Sequence, residues 1–216
     1  IVTLLASFAS LVGLGGSPIL AMRMYKYYGD QAMSYLRGNP YIICKDIIGA
    51  SFAEADAMAL QLGIAEHSKD RIEAAIFYVM GQNADNGHCF VPREKLVEVT
   101  ANVIDVEYES VEDCINELIL LGKLEFEYIA DRNACYLPEL YEDENYLARR
   151  FADMSGRRMN DRVDVDRLLS VLERNQGIKY ADMQRKALEL AAKNQFLAIT
   201  GGPGTGKTTC IRAILA

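Results

Sequence analysis

One eight-residue run constrains this 216-residue chain more than anything else in it: Gly201-Gly202-Pro203-Gly204-Thr205-Gly206-Lys207-Thr208, which fits G-x-x-x-x-G-K-S/T. An apolar strand signal, Phe196-Leu197-Ala198-Ile199-Thr200, runs into it, and Thr209-Cys210-Ile211-Arg212-Ala213-Ile214-Leu215 continues as a helix. Glycines at these positions let backbone N–H groups close on phosphate oxygens at the start of a helix. Gly202, Pro203, Gly204, Thr205, Gly206 and Thr209 are the expected cradle. Lys207 reaches the β- and γ-phosphates and Thr208 holds Mg²⁺, so these two are the expected catalytic residues. Chance produces such a match on the order of once per hundred chains of this length, and the strand-before, helix-after setting is rarer still. The segment reads as a nucleotide-binding P-loop, the first strand and helix of an α/β motor domain.

Seventeen residues before Gly201 stands Gln184, within Tyr180-Ala181-Asp182-Met183-Gln184-Arg185-Lys186-Ala187-Leu188. Asp182 is a natural N-cap, which places Gln184 in the first turn of a helix. A glutamine amide offers one donor and one acceptor, the match for an adenine edge, and this selects ATP as the nucleotide.

The first 64 residues repeat. Gly15 to Gly29 lies over Gly49 to Gly63 with an offset of 34, pairing Gly15/Gly49, Ser17/Ser51, Ala21/Ala55, Met24/Met58 and Gly29/Gly63. Each unit is a hydrophobic residue, a glycine turn, a short helix with small inward residues and a glycine C-cap, and Asn39-Pro40 starts a new element between them. The pattern is a tandem helix-hairpin-helix. Its turns present free N–H groups to a DNA phosphate, making Gly15, Gly16, Ser17, Arg23, Lys26, Gly49 and Ser51 the candidate DNA contacts. The other reading of the same repeat is scaffold. The first hairpin, with Arg23 and Lys26, is the stronger candidate, because the second carries Glu54 and Asp56 beside its turn.

From Asp70 a helix-period pattern (Ile72, Ala75, Ile76, Val79, Met80) is followed by the short run Cys89-Phe90-Val91. Helices fit Glu94 to Asn102 and Val111 to Leu121, and Lys123–Tyr128 with Ala134–Leu137 form a hairpin around Asp131-Arg132-Asn133. That order is a winged helix. Residues 65–137 hold six cations against fifteen carboxylates, net −9, where residues 1–64 are neutral and 138–216 carry +2. The third helix carries Glu109, Glu112, Asp113 and Glu117, which repel phosphates. This module therefore reads as a spacer or a surface for a protein partner. Tyr141, Tyr146, Leu147, Phe151 and Met154 predict a long helix after it, with Arg149, Arg150, Arg157, Arg158 and Arg162 near its end.

Half the residues are apolar and a quarter charged, which excludes a disordered tail or a disulfide-dense mini-domain. Cys44, Cys89, Cys114, Cys135 and Cys210 are odd in number and widely spaced, and read as buried thiols of a reducing compartment. His67 and His88 have no ligand-spaced partner. Residues 1–14 are apolar but too short to span a bilayer, so a buried helix and no membrane role are expected. A chain that opens on Ile1 and stops eight residues after Thr208 reads as a piece of something longer.

Taken together these residues resemble the RecD-like ATP-dependent DNA helicases of superfamily 1, in the long bacterial form with an N-terminal extension, related to the exodeoxyribonuclease V alpha subunit. The resemblance rests on the tandem glycine turns, Asn39-Pro40-Tyr41, Gly87-His88 with Val91-Pro92-Arg93-Glu94, Tyr136-Leu137-Pro138 with Tyr141, Gln176-Gly177-Ile178 leading to Gln184, and Thr200 to Thr209. Ser17 and Ser51 depart from the usual turn glycines. The resemblance implies ATP- and Mg²⁺-dependent 5′→3′ translocation on single-stranded DNA, unwinding of forked DNA, a cytoplasmic monomer, and a 216-residue piece inactive alone. The expected organisation is mainly α, with helix-hairpin-helix 1–64, winged helix 65–137, helical linker 138–182 and truncated motor start 183–216. Two alternatives stay open: a non-catalytic module that binds DNA backbone or junctions while its P-loop anchors nucleotide, and a P-loop enzyme of another class with the repeats as an oligomerisation scaffold.

Overall fold

The computed structural model describes residues 9–10, 12–44, 48–157 and 164–215. They form two compact units, 1–142 and 143–216. The expected buried helix over 1–14 falls largely outside the described residues; of those described, Ala9, Ser10, Val12 and Gly13 are exposed.

In the first unit the two hairpins form as the repeat predicts. Gly15 (φ +83°) and Gly49 (φ +73°) turn the chain through the left-handed region that favours glycine. Ser17 then caps α1 (Pro18–Tyr28), its hydroxyl accepting the Leu20 N–H at 3.1 Å, with proline at the first helical position. After α2 (Ala32–Gly38) and a 3₁₀ turn at Pro40–Cys44, Ser51 caps α3 (Phe52–Gln61). The repeat is also a repeat of burial: Ala21 and Met24 face inward from α1, and Ala55 and Met58 from α3.

The winged helix follows as α4 (Lys69–Asp85), β1 (Phe90–Pro92), α5 (Arg93–Ile104), α6 (Tyr108–Leu120), β2 (Glu125–Ile129) and β3 (Arg132–Tyr136). The sheet order is β1-β3-β2, antiparallel throughout. The hairpin turn sits at Ala130-Asp131 and not at Asp131–Asn133. Both turn residues have positive φ (+50° and +59°), the geometry of a two-residue turn, and Arg132 and Asn133 are already paired with Ile129 and Tyr128.

A single apolar core runs from Leu20 through Met58, Ile76, Leu96 and Ile115 to Cys135, so hairpins and winged helix share one interior. Arg71 of α4 fastens them. Its guanidinium grips both oxygens of Asp56 on α3 at 2.8 and 2.9 Å, and donates to the Glu66 and Ile104 carbonyls at 2.8 and 2.9 Å. The Tyr41 hydroxyl donates to Asp56 at 2.7 Å. Burial pushes the Asp56 carboxyl up, but the bonds from Arg71 and Tyr41 outweigh it and hold it below the usual range.

The long helix expected from Tyr141 to Met154 is α7 (Pro138–Gly156), which begins in the first unit, and α8 (Val165–Gln176) follows it in the second. Tyr146, Leu147 and Phe151 of α7 are exposed. Arg149 and Arg150 are exposed, Arg157 pairs with Asp153 at 2.8 Å, and Arg158 and Arg162 lie outside the described residues. A small core of Leu169, Tyr180, Leu188, Cys210 and Ala213 joins α8 to α9 (Asp182–Lys193) and α10 (Lys207–Ile214). Glu173 bridges them, accepting the Tyr180 N–H at 3.0 Å and Arg185 at 2.8 Å.

Two expectations are corrected here. Phe196–Thr200 does not form a strand, because among the described residues no segment of the unit pairs with it. Of the cysteines, Cys114, Cys135 and Cys210 are buried, Cys44 is half-buried and Cys89 is exposed. Among the described residues no helix is long and apolar enough to cross a membrane.

Replacing Arg71 by Met leaves Asp56 without its counter-ion, with only Tyr41 donating to it, and leaves two carbonyls without a donor. We expect a loss of about 3–5 kcal/mol in the chemical denaturation of the chain. Because the folded Asp56 carboxyl is depressed, its contribution is complete above the ordinary aspartate value of about 4 and fades as pH falls below it. Asp56→Asn should flatten the acid limb of a stability-against-pH profile.

Candidate nucleotide-binding site

The loop Gly201–Gly206 leads into α10 with Gly206 as its N-cap at φ +83° and Gly204 at φ +76°. Among the described residues, no backbone N–H from Gly202 through Thr209 donates to an acceptor of the chain. A row of unpaired donors at a helix start, where the helix dipole is positive, is a site for an anion. Lys207 closes the loop from inside: its Nζ donates to the Gly201 and Gly202 carbonyls at 2.6 and 2.7 Å. Thr205 Oγ1 donates to the Gly202 carbonyl at 2.9 Å. Thr208 is exposed in the first turn of α10.

Gln184 reaches this loop across 21 residues, its Nε2 donating to the Thr205 carbonyl at 3.2 Å while its Oε1 accepts the Ala181 N–H at 3.0 Å. The N-cap of α9 is therefore Ala181, and Asp182 is the first helical residue. Asp182 does not cap because the Arg185 N–H bonds the Ala181 carbonyl at 2.9 Å, which starts the helix one residue earlier. The amide thus ties the start of α9 to the loop, with one amide proton and one lone pair left over for a ligand. A Cβ on Gly206 would lie 2.1 Å from Gln184 Nε2 and one on Gly201 2.9 Å from Thr205 Oγ1. Both glycines are demanded by this close approach. A hollow of about 420 Å³ opens beside the loop, lined by Gln184, Ala187, Leu190, Ile199, Thr205 and Lys207 among others.

These features fit a magnesium nucleotide. The unpaired N–H run suits phosphate oxygens, Lys207 adds a cation, and the Thr208 hydroxyl suits Mg²⁺. Among the described residues no group of three or more His, Cys, Asp or Glu side chains could hold a metal by itself.

The hairpin candidates divide. At α3 the Glu54 carboxylate accepts the Ser51 N–H at 2.9 Å and the Ser51 hydroxyl at 2.8 Å, while Ser51 Oγ accepts the Glu54 N–H. Those bonds hold the Glu54 carboxyl below its usual range. The turn at Gly49 and Ser51 thus already carries an anion, one supplied by the chain. The Ser-x-x-Glu spacing is a capping-box signature that the sequence displayed openly. At α1 Leu20 stands where Glu54 does, and no carboxylate among the described residues bonds to the turn of Gly15, Gly16 and Ser17. Arg23 donates to the Ile48 carbonyl at 3.1 Å, linking α1 to the second turn, yet remains exposed, as does Lys26.

On α6, Glu112 pairs with Arg93 at 2.9 Å and Glu117 with Lys69, while Glu109 and Asp113 stay exposed. The face stays acidic.

Comparison with known proteins bears on both units. The chain matches a family model described as the ATP-dependent RecD2 DNA helicase HHH domain over residues 5–90, and one described as an AAA domain over residues 184–216. It is 25% identical over 216 residues to the ATP-dependent RecD2 DNA helicase of Deinococcus radiodurans, covering 95% of this chain and 30% of that protein. It is 27% identical over 159 residues to the RecBCD enzyme subunit RecD of Buchnera aphidicola, covering 68% of this chain and 26% of that one. The chain therefore spans under a third of the length of these relatives.

Gly206→Ala combines a left-handed residue, costing roughly 1–2 kcal/mol, with a clash against Gln184. Hydrogen exchange across 182–215 should show lost protection in that variant. Adding Gln184→Ala should restore part of it, since the clash is relieved and the backbone strain is not.

Proposed function

Because the chain belongs to the RecD-like helicase family, we propose that it forms the N-terminal accessory region and the phosphate-binding loop of an ATP-dependent DNA helicase. That helicase moves 5′ to 3′ along single-stranded DNA and unwinds a fork ahead of it. The observation that carries the reading is the run of unpaired N–H groups from Gly202 to Thr209, ordered by glycine and closed by Lys207. Gly202, Gly204, Thr205, Gly206 and Thr209 line the phosphates. Lys207 would hold the β- and γ-oxygens in place of its two carbonyl partners, and Thr208 would offer its hydroxyl to Mg²⁺. The free amide proton and lone pair of Gln184 face adenine. The group these residues would hold is ATP·Mg²⁺, whose terminal phosphoryl transfer supplies the energy for movement.

In this account the first hairpin, through Gly15, Gly16, Ser17, Arg23 and Lys26, holds DNA backbone without reading sequence. Gly49 and Ser51 are scaffold, since Glu54 satisfies their turn. The acidic winged helix serves as a protein-contact surface, and the whole protein works in the cytoplasm as a monomer.

The second reading, a DNA-backbone module whose P-loop only anchors nucleotide, draws on the tie between Gln184 and Thr205, which stabilises the loop without implying turnover.

Fluorescent nucleotide titration tests the proposal. The chain should bind an ATP analogue in the presence of Mg²⁺, and Lys207→Ala should weaken binding by at least about tenfold, the scale of a lost charged hydrogen bond. The 216 residues alone should show no ATP turnover above background.

A further inference from the structure

The core does not account for the outward face of α1. Ile19, Met22, Arg23, Lys26 and Tyr27 recur at i, i+3, i+4, i+7 and i+8, one continuous stripe, and all five are exposed. Ile19 and Met22 are each 65% exposed and Tyr27 54%. The opposite face buries Leu20, Ala21 and Met24. A solvated helix face ordinarily carries polar side chains; this one mixes apolar groups with two cations.

An aromatic step continues the stripe. Tyr27 meets Tyr28 edge-on at 4.7 Å and 86°, and Tyr28 lies against Tyr35 of α2 at 4.8 Å and 38°. Tyr35 is 46% exposed, and the Tyr28 hydroxyl is buried with no hydrogen-bond partner. The middle ring is thus held by packing, and it props the two outer rings toward solvent.

The repeat supplies an internal control. At the same positions of α3 stand Ala53, Asp56, Ala57, Leu60 and Gln61. Neither cation nor aromatic ring is retained there, and the turn before it is filled by Glu54. The stripe occurs in one hairpin beside a turn that no carboxylate of the described residues fills, with Gly15 and Ser17 exposed and Gly16 buried, and in the other hairpin both features are lost.

We propose that this stripe is a base-stacking site for single-stranded nucleic acid. A phosphate sits at the turn of Gly15 to Ser17, backbone passes Arg23 and Lys26, and bases stack on Tyr27 and Tyr35. This rests on the proposed DNA contact of the first hairpin and adds what that contact selects. The eight steps from Ile19 to Tyr27 rise about 12 Å, close to three nucleotides at roughly 3.4 Å per strand unit. Charge favours this occupant, since the stripe is cationic while residues 65–137 of the same unit carry net −9. Exposed rings beside cations take bases of any sequence. In a duplex the base faces are stacked inside and cannot reach them.

Fluorescence anisotropy on the 216-residue chain tests this with three probes: oligothymidylate, an abasic strand of equal length and charge, and a duplex. Oligothymidylate should bind at least roughly fivefold tighter than the abasic strand, and tighter than the duplex. Tyr27→Ala and Tyr35→Ala should each cost roughly fivefold to a hundredfold on oligothymidylate alone, with the salt slope unchanged. Tyr27→Phe and Tyr35→Phe should retain binding, and Lys26→Ala should lower the salt slope by about one on every probe. Equal binding of base-bearing and abasic strands by the unaltered chain overturns the stacking site and leaves the backbone contact standing, with no variant needed. Displacement by oligoglutamate as readily as by oligothymidylate overturns it too, pointing to an acidic protein segment. No binding of any strand at low salt removes the hairpin's DNA contact and the stacking site with it.

Discussion

A helix start leaves N–H groups that the helix itself cannot satisfy, and in this chain what is placed on those groups decides what each end can do. At α3 the chain supplies its own carboxylate from Glu54, and the turn becomes a closed structural joint. At α1 the same turn has Leu20 in place of that glutamate and only the Ser17 hydroxyl on one donor. At α10 the donors of a whole glycine-rich loop are left over, and a lysine lies folded on the loop's own carbonyls. The three differ by a few side chains and span the range from scaffold to ligand site.

The second constraint is the grip of Arg71. Asp56, the linker carbonyl of Glu66 and the last carbonyl of α5 all converge on one guanidinium. Hairpins and winged helix consequently behave as one interior, and the acidic face of α6 is fixed relative to α1. The acidic side chains of α6 repel phosphate, so the proposed nucleic-acid contact falls to α1 and its turn.

Local rules made most of this legible. The glycine turns, the inward residues of the repeat, the order of the winged helix and the glycine-rich loop follow from local patterns and from the 34-residue offset. What could not be read was tertiary. Nothing near Arg71 in sequence names Asp56 or Ile104 as partners. The Phe196–Thr200 segment carries a good strand signal, yet a strand needs a neighbour, and none of the described segments provides one. Asp182 has the chemistry of a cap, yet the helix starts one residue earlier, with the N-cap at Ala181, whose N–H the Gln184 side chain accepts. The aromatic step of Tyr27, Tyr28 and Tyr35 depends on two helices meeting around a 3₁₀ turn, a relation that helical periodicity does not encode.

The most direct test of the central claim is an amide NMR titration of the chain with ATP and Mg²⁺, because it reads the N–H groups themselves. The account predicts large shifts confined to residues 201–209 and the side chain of Gln184, with the Lys207 ammonium released from the Gly201 and Gly202 carbonyls. Saturating nucleotide that leaves those amides unmoved, or that moves only amides of the first unit, would contradict it.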